Sequence, residues 1–516
     1  MYGRILSSLY LYTGTQLKKK FFLLLSLAFI IVAACNFPLW SSSSQSPGSG
    51  TPQSLFRTQI PRNVNFPTKI PTIVLQPVPP VLGDMEGFYL YSAQSGDTLA
   101  VVARHFGVDP SQISSQDNIP VGGFIQPGKN LLIPKILTDF YYSDVLLPDS
   151  EVIYSPTARN FNVAQFVNSA GGYLRSYQQL VNGEVLSGSQ IVERVAQNTS
   201  TNPRLLLAVI ELRSHWVTQT PSEPYWAHPL DLGYKEYEGL YLELAVAARL
   251  INTGYYSWRT GEMTELIFSD GSSARIAPNL NAGTVGIQYL MAQLYDKPSW
   301  ETMTYGPENI IAIHKEFFGD PNLRASTIEP MFNEGLTQPP LELPFAPGQP
   351  WALTGGLHYG WTAGTPLGAL DFAPITGERA CVVSRVWVLA SAPGTVIHAA
   401  NNMVIIGLEN ENGESTGWEI MYMHIAKFEM ISAGTHVNLD DPIGHPSCEG
   451  GSATGTHVHI TRKYKGEWIG ATEPLPFILS GWQAVPGAKI FQSTLVKDSQ
   501  TIYARQNATL ESRIQR

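Results

Sequence analysis

The chain lacks a long apolar run, lacks a long basic stretch, and has little cysteine. Its N-terminal apolar segment, Phe21 to Val32, is too short for a confident transmembrane span. No long basic stretch follows that segment and the formal net charge is −9 at pH 7, so nucleic acid is excluded as a partner. Cysteine occurs three times in 516 residues, at Cys35, Cys381 and Cys448. The length is ample for about two to four domains with real cores.

Lys18-Lys19-Lys20 precedes the apolar segment and Ala33-Ala34-Cys35 follows it, the layout of an export signal. Val-Ala-Ala-Cys resembles a bacterial lipobox. The resemblance implies a lipoprotein signal peptide over residues 1–35, with Cys35 lipidated and the chain anchored to the outer face of the cell membrane. An uncleaved membrane anchor with an incidental Cys is the alternative, and in either case the body of the protein lies outside. Residues 36–87 are rich in Ser, Pro, Gln, Thr and Gly, cannot bury enough apolar surface to offset chain entropy, and read as a tether. With Cys35 assigned to lipid, an oxidising compartment favours a bridge between Cys381 and Cys448, which pins the loop leading to His457; buried free thiols are the alternative.

Residues 88–135 read as strand, helix, short helix, strand. Leu99, Val102, Ala103 and Phe106 have helical spacing, Asp97 or Thr98 can cap that helix, and Gly107 can end it. Together with Ser95-Gly96-Asp97-Thr98-Leu99 and Ile125-Gln126-Pro127-Gly128, this order is similar to LysM modules, which bind N-acetylglucosamine polymers. The resemblance implies a glycan groove lined by Gly96, Asp97 and Thr98 on one side and by Ile125, Pro127 and Gly128 on the other.

Residues 136–340 carry helix-period apolar positions over Ile191–Gln197, Pro203–Arg213, Tyr237–Ile251 and Ala282–Tyr295. Glu211, at the end of an apolar helix, resembles the catalytic carboxylate of lysozyme-like transglycosylases. In that family a Ser follows the Glu directly, whereas Leu212 stands here, and no second carboxylate can be chosen. A structural role for Glu211, paired with Arg213 or Arg249, is the competing expectation.

The chemistry concentrates between residues 341 and 485. In Gly455-Thr456-His457-Val458-His459-Ile460 the β-branched residues alternate with two histidines, so His457 and His459 share one face of a strand. Gly355-Gly356-Leu357-His358, Gly368-Ala369-Leu370-Asp371 and Met421-Tyr422-Met423-His424 add three more polar groups on strand-like segments. Three N/O ligands with one open position are the composition of a catalytic zinc site.

This constellation resembles the lysostaphin-like zinc metallopeptidases of bacterial cell walls. The resemblance implies one Zn²⁺ held by His358, Asp371 and His459, with His424 and His457 as the catalytic histidines; which of the two acts as the base stays open. Asp371 follows His358 by thirteen positions, a spacing similar to the β-lytic branch of the family. The expected fold is multidomain α+β: a small βααβ module, a mostly helical middle domain with a resemblance to lysozyme-like enzymes, and a C-terminal antiparallel β-sheet peptidase domain, with residues 486–516 as a tail. The expected activity is zinc-dependent hydrolysis of peptide bonds in peptidoglycan, targeted to glycan by the LysM module. The alternative is a catalytically silent wall-binding lipoprotein that positions another hydrolase.

Overall fold

Two short strands, Leu82–Met85 (β1) and Phe88–Ser92 (β2), begin the part of the chain that the structure, a computed structural model, describes: residues 82–220, 226–377 and 381–516. β1 falls in the stretch expected to be tether. It pairs antiparallel with β2, which pairs in turn with Asn130–Pro134 (β3). Helix Leu99–Phe106 (α1) packs on this sheet; Thr98 caps its start and Gly107, at φ 69°, ends it. Tyr91, Phe106, Ile125, Leu131 and Ile133 form a small core of their own. Asp97 is not the cap. It is buried, and its Oδ2 accepts from Tyr91 Oη at 2.6 Å and from the Gln94 amide at 2.7 Å.

The middle of the chain is mainly helical. Its principal helices are Gly188–Thr199 (α2), Pro203–Ser214 (α3), Leu240–Arg259 (α4) and Ala282–Leu294 (α5). α2 begins in a capping box, with Ser187 and Gln190 each bonding the other's backbone amide. α3 starts with Asn202 as cap and Pro203 in the first turn, and most of its residues are buried. Two hairpins, Gln178–Val181 with Glu184–Ser187 and Glu265–Ile267 with Ser273–Arg275, interrupt the helices.

Nine strands among the described residues then form one antiparallel sheet. They are Trp351–Tyr359 (β4), Leu367–Pro374 (β5), Gly394–Ala400 (β6), Met403–Glu409 (β7), Ser415–Met423 (β8), His436–Val437 (β9), Val458–Tyr464 (β10), Glu467–Trp468 (β11) and Arg513–Ile514 (β12). The order is β9-β6-β7-β8-β10-β5-β4-β12, with β11 folded back on β10. β10 is buried along its whole length. Outside this sheet, Val388–Leu389 pairs antiparallel with Pro442–Gly444. The residues after 485 are structured: Thr494–Lys497 and Gln500–Tyr503 form a hairpin, and β12 closes the sheet edge beside β4.

The sheet and the helices share a charged seam. Arg259, at the end of α4, donates Nε to Glu467 Oε1 at 2.9 Å and Nη2 to Asp149 Oδ2 at 2.7 Å, and it also bonds the carbonyl of Ser95. One guanidinium thus ties β11, the helical region and the first module together. Tyr255 Oη bonds Glu467 at 2.7 Å, and Trp468 Nε1 bonds the Thr199 carbonyl at 3.1 Å. Among the described residues no helix is long and apolar enough to cross a membrane.

Candidate metal centre

Three neighbouring strands bring the expected ligands together. His459 on β10 lies directly opposite Asp371 on β5, and Asp371 lies opposite Gly355 on β4. Residues opposite one another in an antiparallel pair point to the same face. Regular pairing would then place Leu357 opposite Ala369 and turn His358 to the other face. Instead β4 carries a bulge, and His358 pairs with Ala369. One extra residue flips the side chain, so His358 joins Asp371 and His459. Gly355 leaves the carboxylate its room: a Cβ there would sit 2.1 Å from Asp371 Oδ2.

The hydrogen bonds around the two imidazoles decide which nitrogens remain. His358 Nδ1 is 2.8 Å from the Gly356 carbonyl and His459 Nε2 is 3.1 Å from the Gly360 carbonyl, so each of these nitrogens is the donor. In the neutral rings His358 Nε2 and His459 Nδ1 therefore carry lone pairs. These two atoms lie 2.9 Å apart, and Asp371 Oδ1 lies 3.3 Å from each. Asp371 Oδ1 is buried without a hydrogen bond of its own. Three acceptors converging on one point, each oriented by a carbonyl or a neighbouring strand, fit a metal cation. Burial alone would raise the Asp371 carboxyl, but the two imidazoles outweigh it and hold that group well below the usual range. Burial lowers His459, while at His358 the adjacent carboxylate overcomes burial and raises the ring.

His424 and His457 stand beside this cluster with ring centroids 4.4 Å apart. His424 follows the end of β8 at φ 61°, a left-handed backbone uncommon for a residue with a Cβ. Its Nδ1 donates to the Glu449 carbonyl at 2.9 Å, and His457 Nδ1 donates to the Gly455 carbonyl at 2.7 Å. Both rings therefore present Nε2, and that of His457 is 3.8 Å from Asp371 Oδ1. Burial, with repulsion from His457, lowers His424 to about 4. The segment supplying the Glu449 carbonyl is anchored twice. Ser447 bridges to His457, and Cys448 is joined to Cys381 in a disulfide.

Two contributions were invisible in the motif. Phe491, in the stretch expected to be a tail, stacks on His358 with centroids 4.5 Å apart and planes 24° apart. It is held there by backbone bonds with Gly356 and Leu357. The loop between His358 and Asp371, which supplies the Gly360 carbonyl, rests on α4; a Cβ on Gly364 would come within 2.9 Å of the Arg249 carbonyl. No local pattern announces either contact. Three glycines at 355, 356 and 360, all close to His358, are the available sequence sign of crowding.

Comparison with known proteins finds likenesses over parts of the chain. The family described as "LasA, N-terminal domain" matches residues 145–331, the helical region. A segment of 136 residues is 26% identical to protease LasA of Pseudomonas aeruginosa, covering 25% of this chain and 30% of that protein. A segment of the same length is 27% identical to beta-lytic metalloendopeptidase of Achromobacter lyticus, covering 25% of this chain and 34% of that protein. The chain thus spans about a third of the length of the curated relatives it matches. Among solved structures it is similar to pseudoalterin, an M23 metalloprotease from the deep sea. That similarity has 21% identity and a TM-score of 0.28, over 32% of this chain and 96% of the other. The chain is thus similar over residues 145–331 to the N-terminal domain of LasA, and over a segment of 136 residues to a protease and a metalloendopeptidase.

The other expected sites look different in place. Gly96 and Ile125 are buried, and the Ile125 amide bonds the Asp97 carbonyl at 2.8 Å, so the two turns are joined at their base. Thr98 caps α1, Pro127 is half-buried, and Gly128 is exposed. Part of the space beside the turns is covered by the chain itself, and a cavity of about 490 Å³ lined by Gly96, Thr98, Phe124 and Phe332 remains there. Phe332 stacks on Phe124 with centroids 4.8 Å apart, its amide bonds Ser95 Oγ at 2.7 Å, and Lys129 pairs with Glu334 at 3.0 Å. Glu211 pairs with neither Arg213 nor Arg249. Its Oε2 accepts from the Val217 and Thr218 amides at 3.1 Å, and Thr218 Oγ1 bonds its Oε1, so the carboxylate ties down the turn that follows α3. It borders a cavity of about 730 Å³ that Glu308 and Glu316 also line. Cys35, the signal peptide and the tether up to residue 81 lie outside the described residues.

Proposed function

We propose that this protein is a zinc metalloendopeptidase that hydrolyses peptide bonds of peptidoglycan. The observation that carries this reading is the convergence of His358 Nε2, Asp371 Oδ1 and His459 Nδ1, whose donors are all committed elsewhere. Those three atoms would hold the metal. Zinc in such a site supplies a water whose pKa falls to about 7 and a Lewis acid for the scissile carbonyl.

The remaining steps belong to the chain. His424 and His457 donate Nδ1 to carbonyls, which fixes the rings and leaves each Nε2 to accept a proton from the attacking water. A ring that has taken the proton turns from acceptor to donor at the same atom, as a leaving amine requires. The partner ring, 4.4 Å away, would steady charge developing on the carbonyl oxygen as an imidazolium, whose Nε2–H can donate while Nδ1–H stays on its carbonyl. Phe491 covers one face of His358 and keeps that ring from turning away. We further propose that the LysM-like module directs the enzyme to N-acetylglucosamine-containing glycan and that lipid on Cys35 holds it at the outer face of the membrane.

The test separates metal binding from chemistry. Purified peptidoglycan should yield new free amines with the wild type, while His424→Ala and His457→Ala should each retain bound zinc and lose at least about a hundredfold in cleavage rate. Full cleavage by both variants would remove these histidines from the mechanism. No cleavage by a zinc-loaded wild type would favour the wall-binding scaffold.

A further inference from the structure

A second feature of the same domain faces solvent beside the metal centre. Trp387 and Phe428 are large aromatic residues left 38% and 59% exposed, and between them stands His445, which is 4% exposed. Trp387 lies 3.9 Å from the His445 ring with planes at 35°; Phe428 lies 5.9 Å from it with planes at 22°. His445 is pinned at both nitrogens, Nδ1 donating to the Val386 carbonyl at 3.0 Å and Nε2 lying 3.0 Å from Glu429 Oε2. The three rings form a fixed shelf along a cavity of about 430 Å³, with Arg385 and Glu429 on its rim. Arg385 is exposed and makes no ion pair among the described residues.

The shelf is continuous with the catalytic histidines. Ile425 pairs with Pro446, the Ala426 amide bonds the His445 carbonyl at 2.8 Å, and the Ser447 amide bonds the His424 carbonyl at 2.8 Å. His445 is therefore two residues along from the partner of His424, roughly 7 Å of strand. A substrate lying across both would be no longer than a few residues or sugars.

The chemistry of the shelf selects its occupant. A purely apolar group seated on the two rings would bury Arg385 and Glu429 against hydrocarbon, leaving their charges unsolvated. A pyranose ring has an apolar C–H face for the aromatics and a rim of hydroxyl and amide groups for the two charges. We propose that Trp387, Phe428 and Arg385 bind an N-acetylhexosamine unit, the sugar next to the peptide being cut. The placement relative to the cut bond rests on the peptidase reading; the binding of sugar does not.

Two measurements on the full-length protein test this. The first is tryptophan fluorescence during titration with N-acetylglucosamine tetramer. Trp258 stacks on His105 of the LysM-like module with centroids 3.5 Å apart, so sugar bound there also changes the signal, and the shelf is read as the difference between wild type and Trp387→Phe. That difference should be saturable, with its affinity weakened in Phe428→Ala. An unchanged signal in Trp387→Phe would overturn the proposal, as would an equal response to a stem peptide carrying no sugar. The second compares cleavage of intact peptidoglycan with cleavage of glycan-free cross-linked stem peptides. Trp387→Ala and Phe428→Ala should raise KM about tenfold on the former, with kcat little changed, and leave the latter as in wild type. Equal losses on both substrates would make the shelf a peptide subsite or a structural element. Should the wild type cleave neither, the peptidase reading fails while the titration still decides the shelf.

Discussion

A carboxylate and two imidazole nitrogens meet within 3.3 Å because two small irregularities permit it. The bulge in β4 turns His358 toward Asp371, and the bare Cα of Gly355 gives the carboxylate space. The alternation of β-branched residues with His457 and His459 was legible in the sequence, since strand periodicity is local. The bulge was not, because its effect depends on which residue of β5 each residue of β4 meets. The glycine has a sharp consequence. Gly355→Ala should push Asp371 aside and weaken metal binding by about ten- to a hundredfold, as displaced ligand-orienting groups do. A zinc titration showing unchanged affinity would mean that the carboxylate is free to move and that the crowding is unimportant.

At the scale of elements, the segment from His445 to Glu449 works as one unit. It pairs with the chain after β8 and with His457, it carries the carbonyl that orients His424, and the disulfide ties it to Cys381. Spacing alone suggested that the disulfide serves the metal strand; the partner of the Glu449 carbonyl could not be read, since His424 is 25 residues away in sequence. The bridge closes a separation of 67 residues, for which the chain-entropy model gives about 4 kcal/mol of stabilisation. Cys381→Ser with Cys448→Ser should therefore lower the denaturant stability of the domain by about 2–4 kcal/mol and reduce cleavage more than zinc content. An equal loss of zinc and cleavage would place the effect on the ligands instead.

At the scale of the whole molecule, the described regions are joined rather than strung together. Arg259 is the clearest joint, because Glu467, Asp149 and the Ser95 carbonyl come from three parts of the chain. Each part had a local pattern of its own: strands around one short helix, helix-period apolar positions, or strand-period runs. Their contacts had none, since no periodicity encodes a buried ion pair between distant segments, and neither Phe332 on Phe124 nor Phe491 on His358 has a local signature. Arg259→Met would leave two buried carboxylates without their cation, a change that costs about 3–5 kcal/mol. Calorimetry should show the first module and the sheet unfolding at lower temperature together; separate, unshifted transitions would mean that the joint is inert. The central claim is tested most directly by measuring metal content and peptidoglycan cleavage on one preparation of the protein beside His459→Ala. About one zinc per chain, as a single three-ligand site requires, with free amines released and both lost in the folded variant, is the predicted result. A folded wild type that holds no zinc and releases no amines would contradict it.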